Sequence, residues 1–400
     1  MTAWGRQARP AVVPFPGGPL RNTKVYPTVA DALADHRGPA SLPLLFPGSI
    51  HARAAEFADG FPGRVLYAVK SNPHPAVLRA IFQAGVRDFD IASLAELRMV
   101  RRLGDGARAH FMHPIKAREA LREAYACGVR TFVVDSDTEV TKIYEELSDP
   151  DLLILVRLVI PNGHAAYQLT GKFGADPDDA VGLLQLVASR FKRVGICFHV
   201  GSQCLEPEAY KQAVDIAAAV AERSGVPIRV VDVGGGFPAR YPGVNPPPNS
   251  AFFDVIGRAL AGTTLEGARL WAEPGRALVA DGGATLVRVE DRRRRELHLN
   301  DGVFGTLFDT GTPAWQFPVQ LQRKTDAPLV PFRAFGPSCD SADTLTHPLH
   351  LPEDIREGDW LEFGQLGAYS TAFQSRFNGF RPATPVAVLD KPLLDRVEQS

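Results

Sequence analysis

Five short stretches of the sequence carry residues that can do chemistry. Tyr67-Ala68-Val69-Lys70 ends an apolar run on an amine. A lysine withdrawn from water has its pKa lowered, which frees it to form a Schiff base with an aldehyde. Gly234-Gly235-Gly236 offers backbone N–H groups unscreened by side chains, a nest that suits a single phosphate. Glu273-Pro274-Gly275-Arg276 sets a carboxylate close to a guanidinium, whose fork binds phosphate through paired hydrogen bonds. His199 precedes Gly201-Ser202, and Cys339-Asp340 follows Gly336-Pro337-Ser338. Each stretch also has a plain structural reading. Lys70 fits a strand-exit lysine that snorkels. The glycines fit a tight loop needing positive φ. Glu273 and Arg276 fit a structural ion pair, His199 a satisfied core histidine, and a lone cysteine a small buried apolar group.

These stretches acquire meaning from the elements that hold them. Short apolar runs rich in β-branched residues recur at 65–70, 88–93, 109–114, 131–136, 153–160, 194–200, 228–236 and 269–275. Helical patterns lie between them at 75–84, 94–103, 117–127, 179–189 and 207–221, the last stopped by Gly225. Continuous rather than alternating apolar strands, separated by amphipathic helices, predict a parallel sheet covered by helices. Eight such units predict a (β/α)8 TIM barrel, with an open doubly wound sheet as the other architecture. Active residues of barrels gather at the C-terminal ends of strands. Lys70, Asp90 with Ser93, His113, Arg157, His199, the glycine run and Glu273 all stand at such ends. The glycine run formally matches a dinucleotide fingerprint, but Pro238 and Arg240-Tyr241-Pro242 leave no helix to receive a pyrophosphate.

After residue 283 the pattern changes to short strands at 284–290, 296–300, 330–335 and 360–362, separated by Pro and Gly clusters. This predicts a mostly-β C-terminal domain. Arg292–Arg295, set between Asp291 and Glu296, read as a solvated hairpin turn. The expected organisation is a loose tail over 1–20, a segment 21–44 joining the β domain, a barrel over 45–276 and the β domain over 277–400.

With 44 basic and 45 acidic residues in 400, the net charge is −1, which argues against a dedicated nucleic-acid or polybasic membrane protein. The four cysteines form no C-x-x-C pair, so no zinc ribbon or redox motif is expected and no metal is called for. So sparse a set fits a reducing, cytoplasmic setting. No apolar run reaches the length of a membrane span. The Pro-, Gly- and Arg-rich start lacks the apolar core of a signal peptide.

A lysine amine, a phosphate cradle and a carboxylate at one barrel mouth together point to pyridoxal 5′-phosphate. The lysine would hold the aldehyde, the carboxylate would keep the pyridine nitrogen protonated, and the cradle would anchor the phosphate.

The strings resemble those of fold-type III pyridoxal-phosphate decarboxylases of the ornithine/lysine/diaminopimelate group. They are Tyr67-Ala68-Val69-Lys70-Ser71-Asn72, Phe89-Asp90-Ile91-Ala92-Ser93, Lys172-Phe173-Gly174, His199-Val200-Gly201-Ser202, Asp232-Val233-Gly234-Gly235-Gly236-Phe237-Pro238, Glu273-Pro274-Gly275-Arg276, Cys339-Asp340, Gly367-Ala368-Tyr369 and Phe377-Asn378-Gly379-Phe380. The resemblance runs from about Leu42 to Pro382 and is nearest to the ornithine/lysine branch. It implies an alanine-racemase-like barrel with a β domain and a diamine product of the kind that feeds polyamine formation. It also implies that Lys70 forms the Schiff base, that His199 stacks on the pyridine face and that Glu273 binds the ring nitrogen. Ser202, Gly235, Gly236, Arg276 and Tyr369 would hold the phosphate, supported by Asp90 and Arg157. Cys339 would protonate Cα, Asp340 and Asp309 would bind the distal amine, and Phe377 would line the substrate. The Cys339-Asp340 loop would come from the second subunit of a homodimer with shared sites. The stretch from Phe304 to Asp309 is shorter than the family pattern, and the cysteine loop differs from that of diaminopimelate enzymes. A diaminopimelate or carrier-bound substrate, with Arg376 as the extra cation, remains an alternative. So do an amino-acid racemase and a non-catalytic binding homologue.

Overall fold

Eight parallel strands close into a barrel in the order of the chain. They are Arg64–Ala68, Asp88–Ile91, Arg108–Phe111, Thr131–Val134, Leu153–Arg157, Arg193–Cys197, Val230–Asp232 and Arg269–Ala272, the last pairing back onto the first. This is a computed structural model, and it describes residues 23–160, 165–167, 171–312 and 314–398. The expected tail over 1–20 lies outside the described residues. Each strand is shorter than its apolar run. At the first, hydrogen bonding passes to a 3-10 turn, Val69–Ser71, in which Ser71 Oγ donates to the Ala68 carbonyl at 2.8 Å. At the seventh, the chain leaves the sheet at Asp232, two residues before the glycine run. The residues cut from the strand ends, Lys70, His199, the glycine run and Glu273 among them, form the loops of the mouth.

Leu66, Met112, Val133, Leu153, Leu155, Cys197, Val230 and Trp271, drawn from strands all round the barrel, form one buried cluster that fills its interior. At the opposite end from the mouth, Asp88 binds Arg64, Arg108 and His110. Burial raises a carboxyl's pKa, but hydrogen bonds from Arg108 and His110 outweigh it and hold Asp88 well below the usual range.

Helix starts follow local chemistry. Ser93 caps Leu94–Arg101 and Ser136 caps Asp137–Leu147, each side chain accepting a backbone N–H of the first turn. Gly225, at φ 66, ends Glu208–Ser224 in the left-handed conformation. Among the described helices outside the predicted set are Asp137–Leu147 and Asn249–Leu260. The first buries only Glu139, Val140 and Ile143, too thin a stripe to stand out, and the second follows a proline run.

A nine-stranded sheet forms the second body. Gly283–Arg293 is its spine, pairing with Leu42–Leu45, Trp360–Phe363 and Glu296–Leu299. The hairpin to Glu296–Leu299 turns at Arg294, φ 56. The N-terminal strands Val25–Tyr26 and Leu42–Leu45 enter the sheet on either side of Val386–Val388. The two bodies meet beside the mouth. A Cβ at Gly367 would lie 1.6 Å from the Val279 carbonyl, so only glycine permits this approach. Asn72 Nδ2 donates to the Gly367 carbonyl at 2.8 Å, and the Tyr369 N–H donates to the Ser71 carbonyl at 2.9 Å. The β domain therefore braces the loop that carries Lys70.

Candidate active site

Lys70 leaves the first barrel strand in the 3-10 turn, and its Nζ lies 2.8 Å from Asp90 Oδ2. Asp90 stands beside Ala68 in the strand register, which sets its carboxylate next to the turn. Burial draws the Lys70 pKa down, but Asp90 and Glu273 more than offset it, and the net shift is upward. This corrects the expectation of a lysine made neutral by desolvation. The amine is held as an ammonium by its carboxylate neighbours.

Glu273 follows the eighth strand, and its backbone N–H donates to the Gly234 carbonyl at 2.8 Å. Burial pushes its pKa well up, and the nearby Asp232 and Asp90 add to the rise. Burial also raises Asp232, to about 7, although its Oδ1 accepts the Gly234 N–H at 2.8 Å. Two carboxyls so close in a dry site cannot both ionise readily. Among the described residues Glu273 has no cation at ion-pair distance, and the suspected Glu273–Arg276 pair does not form. Arg157, at the end of the fifth strand, lowers the pKa of both Glu273 and His199 through its charge.

His199 follows the sixth strand, and its Nδ1 accepts the Gly201 N–H at 3.0 Å, which leaves the proton on Nε2. Burial lowers its pKa to about 3, helped by Arg157 and Lys70. The ring is neutral.

The glycine run packs against this loop. A Cβ at Gly235 would lie 2.7 Å from the Glu273 carbonyl and 3.0 Å from His199 Nε2. At Gly236, where φ is +105, a Cβ would lie 2.4 Å from the Gly201 carbonyl. Both the tight turn and an open cradle therefore require glycine here. Arg276 is buried, and its Nε lies 3.4 Å from Ser202 Oγ. The Tyr369 ring, at φ 53, sits 5.0 Å from the Arg276 guanidinium carbon.

Asp309 has a partner that the sequence reading did not foresee. Its Oδ2 accepts from Arg276 Nη1 at 2.6 Å, so the guanidinium takes one oxygen of this carboxylate.

Cys339, Asp340 and Phe377 form a second, separate group. Cys339 is exposed, and its N–H donates to Asn378 Oδ1 at 3.0 Å. Asp340 Oδ1 accepts the Ala342 N–H at 2.9 Å, and Phe377 packs edge-on to Phe304. No described hydrogen bond, ion pair or ring contact joins this group to Lys70 of the same chain. Beneath it Asp343 is buried and accepts the N–H groups of Val303 and Ser338, tying the cysteine loop to the segment that leads to Asp309.

Four residues of this region carry no role in the sequence reading: Asp232, Tyr241, Trp315 and Asp343. Asp232 ends a barrel strand and Tyr241 follows the glycine run, and both positions are signals in themselves. Trp315 gives none, because its partners are remote in sequence, and Asp343 bonds both to nearby Ser338 and to distant Val303.

Residues 47–280 match the family model described as "Pyridoxal-dependent decarboxylase, pyridoxal binding domain". The chain belongs to this decarboxylase family. The lysine/ornithine decarboxylase of Selenomonas ruminantium is 31% identical over 338 residues, 82% of this chain and 84% of its own length. The lysine/ornithine decarboxylase of Vibrio vulnificus, solved with cadaverine, superposes with a TM-score of 0.78 at 28% identity, covering 91% of this chain and all of its own. The arginine decarboxylase of Paramecium bursaria Chlorella virus gives a TM-score of 0.80 at 28% identity, covering 90% and 99%. This decarboxylase is thus a pyridoxal-phosphate-dependent lyase of amino acids, in the ornithine/lysine branch. Its residues fit the cofactor. The amine, the carboxyl with no paired cation, the glycine cradle and the buried guanidinium match an aldehyde, a ring nitrogen and a phosphate. Among the described residues no helix is long and apolar enough to cross a membrane.

Proposed function

We propose that this decarboxylase removes carbon dioxide from a basic L-amino acid, ornithine or lysine, and releases the corresponding diamine. The observation that carries the reading is the meeting at one barrel end of ion-paired Lys70, the Glu273 carboxyl and buried Arg276. Lys70 would hold the cofactor covalently, with Asp90 in hydrogen-bond contact with its amine. Glu273 would face the ring nitrogen. When bound, the cofactor supplies a protonated ring that accepts the electron pair left as carbon dioxide departs. His199, held neutral, would cover a ring face without adding charge to it. Ser202, Gly235, Gly236, Arg276 and Tyr369 would hold the phosphate, and Arg157 would support Glu273. Loss of the carboxylate removes charge, which a dry pocket favours.

Cys339 would deliver the proton to Cα, and Asp340 would bind the distal ammonium. Both would come from a second copy of the chain, with Phe377 beside them. The exposure of this group and its lack of contact with its own Lys70 support that arrangement. A screen of ornithine, lysine, arginine and diaminopimelate for released carbon dioxide tests the function. Release is expected from ornithine or lysine, and none from Lys70→Ala. Purified, cofactor-loaded protein that decarboxylates no basic amino acid would overturn it.

A substrate bearing a distal carboxylate is the second reading. Arg376 favours it, being exposed, next to Phe377 and without an ion-pair partner among the described residues. If Arg376→Ala leaves the preference among the four substrates unchanged, this reading falls.

A further inference from the structure

The end of the barrel away from the mouth carries a concentration of positive charge that the decarboxylation does not use. Arg64, Arg108, Arg193 and Arg269 are the first residues of the first, third, sixth and eighth strands, and Arg229 stands immediately before the seventh. The sixth, seventh, eighth and first strands are neighbours in the barrel, so Arg193, Arg229, Arg269 and Arg64 follow one another along about 14 Å of rim. Side chains two apart on a strand share a face. Leu66, Cys197 and Trp271 fill the barrel interior, so Arg64, Arg193 and Arg269, two or four positions before them, lie on the inward face. The Arg64 guanidinium carbon accordingly sits 5.1 Å from the Trp271 ring centroid.

Carboxylates are few at this end. Asp88 pairs with Arg64 at 3.2 Å and with Arg108 at 2.6 Å. Asp151 pairs with Lys192 at 2.9 Å, and Arg193 reaches only the Asp151 carbonyl, at 3.5 Å. Arg87 and Arg130 also precede strands, but they donate to the carbonyls of Phe82 and Tyr125 in the last turns of helices. Arg229 and Arg269 are exposed, and their side chains make no hydrogen bond and no ion pair among the described residues. Burial lowers the Arg269 pKa, and the charges of Arg193, Arg64 and Arg229 lower it further, so these guanidiniums stand close enough to repel one another. Across the whole chain the net charge is −1, so the excess is local.

We propose that this face binds a compact anion of linked phosphates, free or carried by a nucleoside, with Arg193, Arg229 and Arg269 as its ligands. A guanidinium stays charged and offers paired N–H bonds that match phosphate oxygens. One phosphate engages one or two such forks, whereas a short chain of phosphates engages neighbouring forks together. Arg64, already held by Asp88, walls the site on the first strand. An anion placed here relieves the repulsion among the arginines. Their inward placement at the end of a closed barrel suits a compact ligand. A nucleic-acid strand would instead need a groove along which its backbone can run. The site lies across the barrel from Lys70, so its ligand does not compete with cofactor or substrate. The inference holds whichever amino acid the enzyme decarboxylates.

The test titrates inorganic triphosphate, and ATP in parallel, into the cofactor-loaded enzyme at low ionic strength, with calorimetry as the readout. Wild type is expected to bind triphosphate saturably. The double variant Arg229→Gln with Arg269→Gln should bind it at least about tenfold more weakly, since each lost charge-assisted hydrogen bond is worth about that much or more. Added salt should weaken the wild-type binding. Equal affinities for the two probes assign recognition to the phosphate chain alone, and tighter binding of ATP assigns it to the nucleotide. No saturable binding by wild type overturns the proposal, as does equal affinity in wild type and the double variant. Loss of the cofactor's visible absorbance during the titration would put the probe in the mouth and overturn it too. So would a single-stranded RNA oligonucleotide that binds this face and is not displaced by triphosphate. If thermal melting shows that the double variant does not fold, the single variants Arg229→Gln and Arg269→Gln decide, and wild-type affinity in both overturns the proposal.

Discussion

Cys339 presents its thiol on the surface while its backbone N–H is fixed by Asn378 and its loop is anchored through buried Asp343. A held backbone with a free side chain suits a group that must reach a reacting carbon in another subunit. Replacing Cys339 by alanine should leave cofactor affinity unchanged, because no described contact links it to the Lys70 cluster. Turnover should fall by roughly 10²–10⁴-fold, the usual contribution of a placed proton donor. Absorbance titration and the rate of carbon dioxide release measure the two separately, and full activity would remove Cys339 from the chemistry. Residues of this kind are legible in sequence because the reaction needs a particular functional group next to a particular turn. The environment of each was less legible. Lys70 was expected to lose charge by desolvation, but Asp90, twenty positions away, reverses the sign. Nothing near Asp309 in sequence reveals that Arg276 bonds to it.

At the scale of elements, the loop from Gly234 to Gly236 tests how tightly the mouth is built. An alanine at Gly236 meets two penalties: φ of +105 and a Cβ 2.4 Å from the Gly201 carbonyl. Gly243 separates them, since it also has positive φ, +74, but a Cβ there meets nothing within 4 Å. Gly243→Ala should therefore cost only the backbone strain, about 1–3 kcal/mol of stability, with cofactor affinity kept. Gly236→Ala should lose more stability and also bind pyridoxal 5′-phosphate more weakly, because the displaced loop carries the nest. Melting curves with and without cofactor report both, and equal behaviour of the two variants would show that the clash is relieved without moving the cradle. The strands were legible as apolar runs, since burial on both faces demands them. Their ends were not. Apolar character continues past the last sheet hydrogen bond at Val69 and Val233, and only tertiary packing turns the chain away. Asp137–Leu147 escaped notice for the converse reason, because it needs only a thin apolar stripe against the barrel.

At the scale of the whole molecule, the Cys339 group stands apart from Lys70 and beside an exposed apolar face. Phe308, Phe373, Phe377 and Phe380 are each 40–51% exposed, with Phe308 and Phe373 stacked in parallel, centroids 4.4 Å apart. An apolar cluster of this kind on the surface favours association, and Phe377 belongs to the same loop as Asn378, which holds Cys339. If a second copy covers this face and each site takes Lys70 from one chain and Cys339 from the other, two dead variants can repair one another. In a heterodimer of Lys70→Ala with Cys339→Ala, one site carries both lesions. The other joins an intact Lys70 to an intact Cys339. Equal mixing with free exchange makes half the dimers mixed, each with one working site of two, so about a quarter of wild-type activity should return. An arrangement in which each chain uses its own cysteine gives no intact site in any pairing, and activity should stay at the level of the separate variants. Carbon dioxide release measured across a series of mixing ratios distinguishes the two. Shared sites give a maximum at equal amounts, whereas a flat line at background would confine each site to one chain.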